Sequence, residues 1–253
     1  MNIDQIQTIM QHEGDPLAIL QSLGGYYECP KDQSGKRIGQ LVGYAGKYDT
    51  NSGKKQFVGE IYANFSIAEQ YPTIMLSFAD SLIAHIPEVI LEEITIVCGP
   101  QIGGFAIGTL CALSKKWRLA YIEKVIQQLA TETLREQSRL DFLRHSVIEG
   151  DKVLLTEDVL NNFSTTKEAI ALIESLGAEV VCIAGLLNRS DNTEKYYHYG
   201  DRSVPVVSLV RKRIEQWKQD DPAVQYDISI GNVVLKPKNE WGTLMNAIER
   251  VKY

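Results

Sequence analysis

The sequence is poor in the features that mark several classes of protein. It has four cysteines among 253 residues, and no two of them form a CxxC pair, so neither a disulfide framework nor a zinc site is expected. No apolar run approaches the roughly 20 residues of a membrane-spanning helix, and the first residues lack the basic start and apolar core of a signal peptide. We therefore expect a cytoplasmic protein without a membrane partner. Its buried free thiols should be Cys29, Cys98, Cys111 and Cys182.

Basic residues are also fewer than acidic ones. The chain has 26 Lys and Arg against 32 Asp and Glu, which gives a formal net charge of -6, and no stretch is dense in Lys or Arg. Nucleic acid is therefore not an expected partner. An acidic protein can still hold an anionic ligand, but it must do so with local groups rather than with its overall field.

The middle of the chain alternates short apolar segments with helical ones. Strands are predicted over 94–98, 119–122, 152–156, 179–187 and 204–209, and helices over 66–85, 105–113, 166–176 and 240–251. Pro72 inside the first of these helices predicts a kink or a shorter helix, whose cap would otherwise be Ser66, and Gly177 should end the third. Nearly all-apolar strands between helices predict an α/β fold with a mostly parallel sheet covered on both faces.

Ligands of such sheets bind where strands end and helices begin. After 152–156 come two adjacent carboxylates, Glu157 and Asp158, which suit the paired hydroxyls of a ribose. The polar loop that follows enters a helix whose free N–H groups suit a phosphate. Residues 165–168 also fit a helix capping box, and both interpretations can hold. The loop consists of Asn161, Asn162, Phe163, Ser164, Thr165 and Thr166.

This segment resembles the phosphoribosyl diphosphate (PRPP) motif of the type I phosphoribosyltransferases. The continuation over 168–189 is most similar to orotate phosphoribosyltransferases, 98–105 resembles their pyrophosphate loop, and 204–209 resembles a late strand of theirs. The resemblance covers about residues 55 to 210. It implies the family's fold, a central mostly parallel sheet flanked by helices. The implied division is an N-terminal lobe over 1–60, a phosphoribosyltransferase core over 61–210 and a C-terminal extension over 211–253.

The resemblance also implies an activity, the transfer of ribose 5-phosphate from PRPP to a nucleobase. Orotate is the preferred base, with orotidine 5'-monophosphate and pyrophosphate as products. Mg²⁺ is expected to bind mainly through PRPP, and a homodimer with shared sites is expected. In this scheme Glu157 and Asp158 orient the ribose, and the loop over 161–166 holds the 5-phosphate. The other implied residues are Gly99, Pro100, Gly103 and Gly104 for pyrophosphate, Lys124, Arg144 and His145 as charge-neutralising groups, and Lys55, Tyr62 and Arg189 for the base.

Three departures from the family pattern keep alternatives open. Phe163 stands where the family has glycine, so its side chain must point away from the phosphate, and a positive φ there would cost energy. Glu123 replaces an arginine beside Lys124. The stretch over 127–144 lacks the family's Lys-x-His-Gly and is either a mobile lid or a solvated helix. The protein could accordingly use another base, or be a non-catalytic regulatory protein that binds nucleotide or PRPP.

Overall fold

The computed structural model describes Thr8 and residues 15–51, 53–128, 137–191 and 195–249. The chain forms two compact units, one of residues 69–213 and one that combines residues 1–68 with 214–253. The C-terminal segment is thus part of the same unit as the N-terminal one. The three-part division at 60 and 210 stays a prediction.

The strands of the described residues follow the apolar segments of the sequence. In chain order they are β1 (Tyr26–Glu28), β2 (Leu41–Thr50), β3 (Gly53–Gly59), β4 (Ile61–Ala63), β5 (Ile96–Pro100), β6 (Arg118–Gln128), β7 (Gln137–Asp141), β8 (Lys152–Leu160), β9 (Glu179–Asn188), β10 (Tyr196–Tyr199), β11 (Arg202–Arg211) and β12 (Val233–Val234). The α-helices with described bounds are α1 (Pro16–Ser22), α2 (Pro72–Ala84), α3 (Glu88–Glu93), α4 (Gly103–Lys115), α5 (Ser164–Ser175), α6 (Gln225–Ser229) and α7 (Trp241–Glu249).

The larger unit is built on a seven-stranded sheet in the order β10-β11-β9-β8-β5-β6-β7. The five inner strands pair in parallel, while β10 and β7 pair antiparallel at the two edges. Every residue of β9 after the first is buried, as expected for a strand covered on both faces. The predicted mostly parallel sheet is confirmed.

Helix starts in this unit differ from two predictions. Pro72 occupies the first turn of α2 and Tyr71 is the N-cap, so the shorter helix is confirmed and the Ser66 cap is wrong. The N-cap of α5 is Phe163, which makes the capping box over 165–168 wrong by two residues. Gly177, with φ of 77°, follows the C-cap of α5 as predicted.

The polar stretch over 127–144 is not one helix. β6 runs on to Gln128 and pairs antiparallel with β7, which begins at Gln137. The solvated-helix interpretation is therefore wrong at both ends of the stretch. Residues 129–136, where a lid would have its tip, lie outside the described residues, and the lid stays a prediction.

The smaller unit joins the two ends of the chain. Its main sheet has the order β12-β2-β3, and β12 lies parallel to β2. Arg37 bonds Glu60 at 2.6 Å and Asp227 at 3.1 Å, and the Trp241 indole N–H donates to the Gly24 carbonyl at 2.9 Å. A cavity of about 550 Å³ opens over the Arg37 ion pairs.

The four cysteines are buried and free, as predicted. Burial raises the pKa of Cys98 and Cys111 to about 12, so these thiols stay protonated at neutral pH and are poor nucleophiles. Of the helices in the described part of the chain, none combines the length and the apolar character required to cross a bilayer.

Candidate functional site

The acidic pair lies at the carboxyl end of β8, between β5 and β9. Upstream of the pair, Thr156 is completely buried, and its hydroxyl lies 2.8 Å from the Gly104 carbonyl and 3.1 Å from the Cys98 carbonyl. These contacts tie β8 to β5 and to the first turn of α4. Glu157 and Asp158 follow on the part of the strand that is only half-buried, so a ligand can reach them.

Asp158 packs against the glycine turn that opens α4. A Cβ added to Gly103 would lie 2.4 Å from Cγ of Asp158, a separation that only glycine allows. The Val159 N–H donates to Oδ1 of Asp158 at 2.8 Å and fixes the carboxylate. The structure therefore brings together Asp158, Gly103 and Gly104.

Glu157 lies beside a second carboxyl group. Burial raises the pKa of Glu157 well above its ordinary value of 4.5, and the neighbouring Asp158 raises it further. The acidic pair therefore holds a proton at pH values where an exposed glutamate has lost it. This lowers the negative charge that an anionic ligand meets.

Residues 161–166, the predicted phosphate loop, turn from β8 into α5. The Asn162 side chain accepts the Ser164 N–H at 3.2 Å and the Ser164 hydroxyl at 2.9 Å, an Asx turn that shapes the helix start. Phe163, the N-cap residue of α5, makes no side-chain hydrogen bond to the helix. Thr165 is exposed and Thr166 is buried, so the two hydroxyls are not equally accessible. The feature that suits an anion is therefore the pair of backbone N–H groups at the start of the helix.

Phe163 takes a left-handed backbone, with φ of 55° and ψ of 17°. Its ring is 7% exposed and belongs to the main core cluster. The ring stacks on Tyr197 with centroids 4.7 Å apart and planes 19° from parallel. The side chain thus points away from the phosphate loop's open face, as expected, and only the backbone of Phe163 is available to a ligand.

The turn after β5 is equally tight. Gly99 and Pro100 end the strand and are buried, and a Cβ on Gly99 would lie 2.3 Å from the Gly104 carbonyl. The Gln101 N–H donates to the Ile122 carbonyl of β6 at 3.1 Å, and the peptide bond after Gln101 is cis. The close packing leaves no room for a side chain at Gly99 between β5 and the first turn of α4.

A second group of polar side chains lies where β6 leaves the parallel sheet. Glu123 is 7% exposed, and its Oε1 lies 3.6 Å from Nε of Arg144. The His145 ring stands edge-on to Tyr121 at 4.4 Å, and Arg144 lies 3.4 Å from the Tyr121 hydroxyl. The structure thus brings Arg144 and His145 together.

Lys124, exposed on β6 opposite Leu140 of β7, lies two strand spacings from β8, about 10 Å. It belongs to the same edge of the sheet as the acidic pair.

The predicted base-contacting residues are divided between the units. Arg189 is buried and directly follows β9. Its backbone N–H donates to the Leu160 carbonyl at 2.9 Å, so Arg189 lies beside the strand that carries the acidic pair. In the smaller unit Lys55 is exposed on β3, and the Tyr62 ring on β4 lies 6.0 Å from Trp241. Of the three, Arg189 alone shares the larger unit with the acidic pair.

Sequence reasoning missed two residues that shape this site. Thr156 bonds two carbonyls, and its signal is a hydroxyl inside an otherwise apolar strand. The second is Tyr197, in the aromatic run over 196–199, whose ring stacks on Phe163. No local pattern shows which ring of that run faces the loop.

The described residues offer oxygen donors of the kind that Mg²⁺ prefers, but they do not surround an ion by themselves. Among residues 15–51, 53–128, 137–191 and 195–249, no group of three or more His, Cys, Asp and Glu side chains is placed to hold a metal ion. Two adjacent carboxyl groups, Glu157 and Asp158, offer the hard oxygen atoms that Mg²⁺ prefers. These two carboxyl groups suit a Mg²⁺ ion that arrives already bound to a phosphorylated ligand.

Known proteins with similar sequences include an orotate phosphoribosyltransferase. No protein-family model matches the chain. It is 30% identical over 133 residues to an orotate phosphoribosyltransferase of Caldanaerobacter subterraneus. The aligned segment covers 51% of this chain and 60% of that enzyme. The chain is 27% identical over 147 residues to HGPRTase-like protein 3 of Haloterrigena turkmenica. This second alignment covers 56% of this chain and 75% of that protein. The chain therefore spans less than two thirds of the first relative.

Solved structures show more distant likeness. An orotate phosphoribosyltransferase of Aeropyrum pernix is 18% identical, with a TM-score of 0.45 over 76% of this chain and 91% of that one. An adenine phosphoribosyltransferase of Trypanosoma brucei is 19% identical, with a TM-score of 0.48 over 79% and 81%. The sequence relatives, together with the order of glycine turn, acidic strand and helix start, make the chain similar to the phosphoribosyltransferases.

Proposed function

We propose that the protein transfers the ribose 5-phosphate group of PRPP to a ring nitrogen of a nucleobase and releases pyrophosphate. The bond from C1 of the ribose to pyrophosphate breaks, a C1–N bond forms, and the base loses the proton of that nitrogen. The observation that carries the proposal is the contact between Asp158 and Gly103. It sets the carboxylate that is proposed to bind the ribose directly against the turn that is proposed to face pyrophosphate.

The acidic pair is proposed to hold the ribose. Carboxyl oxygens accept hydrogen bonds from adjacent hydroxyls, and Asp158 is fixed in place by the Val159 N–H. The raised pKa of Glu157, caused by burial and then by Asp158, keeps a proton on the pair. The pair therefore repels PRPP less than two full charges would, and it still stabilises positive charge that develops at C1.

The phosphate loop is proposed to hold the 5-phosphate. α5 begins at Ser164, just after β8 ends at Leu160, so its first backbone N–H groups lie at the carboxyl edge of the sheet, and a helix N-terminus favours an anion there. Asn162 and Ser164 shape the loop through the Asx turn. Phe163 contributes its backbone only, because its side chain is in the core.

Gly99, Pro100, Gly103 and Gly104 are proposed to face pyrophosphate, with Lys124, Arg144 and His145 neutralising it. The ion pair of Arg144 with Glu123, at 3.6 Å, reduces the charge that Arg144 can offer. Mg²⁺, when bound through PRPP near Glu157 and Asp158, supplies further charge neutralisation. Positioning and charge stabilisation then account for the chemistry that the protein performs.

Orotate is the proposed base. The support is the name of several sequence relatives and the position of Arg189 at the strand beside β8, where a cation suits the orotate carboxylate. Lys55 and Tyr62 are proposed as further base contacts. A homodimer is part of the proposal and derives from the family resemblance, and the cytoplasm is proposed as its location because the four cysteines are free thiols.

The test mixes purified protein with PRPP, Mg²⁺ and orotate, and follows pyrophosphate release together with the loss of orotate absorbance. Asp158→Asn is the control and should abolish turnover. Pyrophosphate release with adenine or hypoxanthine, but not with orotate, would retain the transferase and replace the base. PRPP binding without turnover on any base would favour a non-catalytic binding protein. Absence of both binding and turnover would overturn the proposal.

A further inference from the structure

The phosphate loop contains a backbone conformation that its sequence does not favour. Phe163 has φ of 55°, in the left-handed region that glycine adopts readily and other residues rarely do. A phenylalanine persists there only when contacts around it determine the conformation. The ring is 7% exposed, so those contacts are made by the core rather than by solvent.

The main aromatic contact comes from the edge strand of the sheet. Tyr197 on β10 stacks on Phe163 with a centroid distance of 4.7 Å and an interplanar angle of 19°. Tyr197 is itself held opposite Val204 of β11, and the Val204 and Phe163 side chains belong to one core cluster. The stack therefore connects the loop to a paired strand.

The same strand also contacts the far end of α5. The Tyr199 hydroxyl donates to Glu174, and Arg202 bonds the same carboxylate while its guanidinium carbon lies 5.7 Å from the centre of the Tyr199 ring. One face of β10 thus contacts α5 at its N-cap and near its C-terminus. Tyr196, on the other face, is 49% exposed.

We propose that Tyr197 is a positioning residue for the 5-phosphate site, because its ring holds Phe163 in the left-handed conformation that directs the N–H groups of residues 161–165. The inference rests on the proposed function. The stack performs the task that a glycine would perform at this position, since it maintains a positive φ that phenylalanine alone would not adopt.

The test compares Tyr197→Leu, which removes the stack, with Tyr197→Phe, which keeps it, and with Tyr196→Leu as the matched control on the exposed face. Loss of one aromatic pair should weaken PRPP binding in calorimetry by about three- to tenfold in Tyr197→Leu. The KM for PRPP should rise by the same factor while the KM for the base stays constant. Tyr197→Phe and Tyr196→Leu should match the parent protein.

Repeating the Tyr197 substitution in a Phe163→Gly protein separates a positioning role of Tyr197 from a general effect on protein stability. In Phe163→Gly the positive φ needs no support, so adding Tyr197→Leu should change PRPP affinity less than twofold. Equal losses from Tyr197→Leu in both backgrounds, or equal effects of Tyr197→Leu and Tyr196→Leu, would overturn the inference.

Hydrogen exchange provides a readout that does not depend on the ligand. The amides of residues 161–165 should exchange faster in Tyr197→Leu and at the parent rate in Tyr197→Phe. If the parent protein binds no PRPP, the proposed function fails and this exchange comparison still decides the role of Tyr197. Unchanged exchange in Tyr197→Leu would sink the positioning role whatever the activity.

Discussion

At the scale of single residues, the site depends on a carboxylate that touches a glycine. Asp158 fills the space that a side chain at Gly103 would need, with Cγ 2.4 Å from the position of a Cβ. Such a distance is far below ordinary van der Waals contact. A single methyl group therefore has to move either the carboxylate or the first turn of α4.

We expect Gly103→Ala to weaken PRPP binding by at least about tenfold, because displacing Asp158 removes hydrogen bonds to the ribose. Titration calorimetry with PRPP measures this directly. Gly242→Ala is the matched control, since a Cβ at Gly242 in α7 meets nothing within 4 Å and alanine favours a helix. Gly103→Ala with the affinity of the parent protein would show that Asp158 is not a ribose contact.

The protonation of Glu157 predicts a pH dependence of stability. Burial, and then Asp158, raise its pKa in the folded protein above 4.5, so between that value and the folded pKa the native state holds a proton that the unfolded chain has released. Stability from this group is therefore present below pH 4.5 and is lost as pH rises through the folded pKa, with a slope of up to about 1.4 kcal/mol per pH unit.

Glu157→Gln should remove that slope, because glutamine does not titrate. Urea unfolding at a series of pH values from 4 to 9 gives the measurement. Glu168→Gln, on the exposed face of α5, should keep the slope because Glu157 is still present. A parent protein whose unfolding free energy is flat over this range would contradict the raised pKa.

At the scale of elements, one hydroxyl links strand and helix at the base of the site. Thr156 lies within hydrogen-bond distance of the Gly104 carbonyl of α4 and the Cys98 carbonyl of β5, and it is fully buried. Thr156→Val keeps the shape but leaves these carbonyls without that donor. We expect a loss of about 1–3 kcal/mol in the free energy of unfolding.

Urea denaturation followed by circular dichroism measures this loss. The control is Thr243→Val, an exposed threonine in α7, which should change stability by less than about 0.5 kcal/mol. If both variants unfold at the parent midpoint, the hydroxyl is not what holds α4 to the sheet.

At the scale of the whole molecule, the two ends of the chain form one unit around Arg37. Its guanidinium bonds Glu60, Asp227 and the Ala223 carbonyl at 2.6, 3.1 and 2.7 Å, and it lies 5.5 Å over the Trp217 ring. With its side chain only 17% exposed, this network is shielded from solvent better than a surface ion pair. The C-terminal segment is thereby tied to the N-terminal one.

Arg37→Ala should lower the stability of the smaller unit by about 3 kcal/mol, because it leaves two largely buried carboxylates without this partner. Arg213→Ala removes an ion pair whose side chains are 71% and 77% exposed, and it should cost no more than about 0.5 kcal/mol. Chemical denaturation of both variants decides between these outcomes, and equal midpoints would contradict a structural role for Arg37.

The sequence by itself determined the mostly parallel sheet of the larger unit and the strand that carries the acidic pair. The apolar segments over 152–156 and 179–187 lie inside β8 and β9, since strands covered on both faces must be apolar throughout. Glu157 and Asp158 directly follow the apolar run, as the sequence shows, but β8 continues through them to Leu160 because this part of the strand still pairs with β9. The apolar runs and the residues that follow them are local properties of the chain, and local patterns predict them.

Only the tertiary structure decided which distant groups meet. The stack of Phe163 on Tyr197, the packing of Asp158 on Gly103 and the bond from Arg37 to Asp227 join residues 34, 55 and 190 positions apart. The continuation of β6 to Gln128 likewise depends on its pairing with β7. Each of these features depends on contacts between distant segments, so its energy appears only when the chain has folded, and no periodicity or spacing in the sequence contains it.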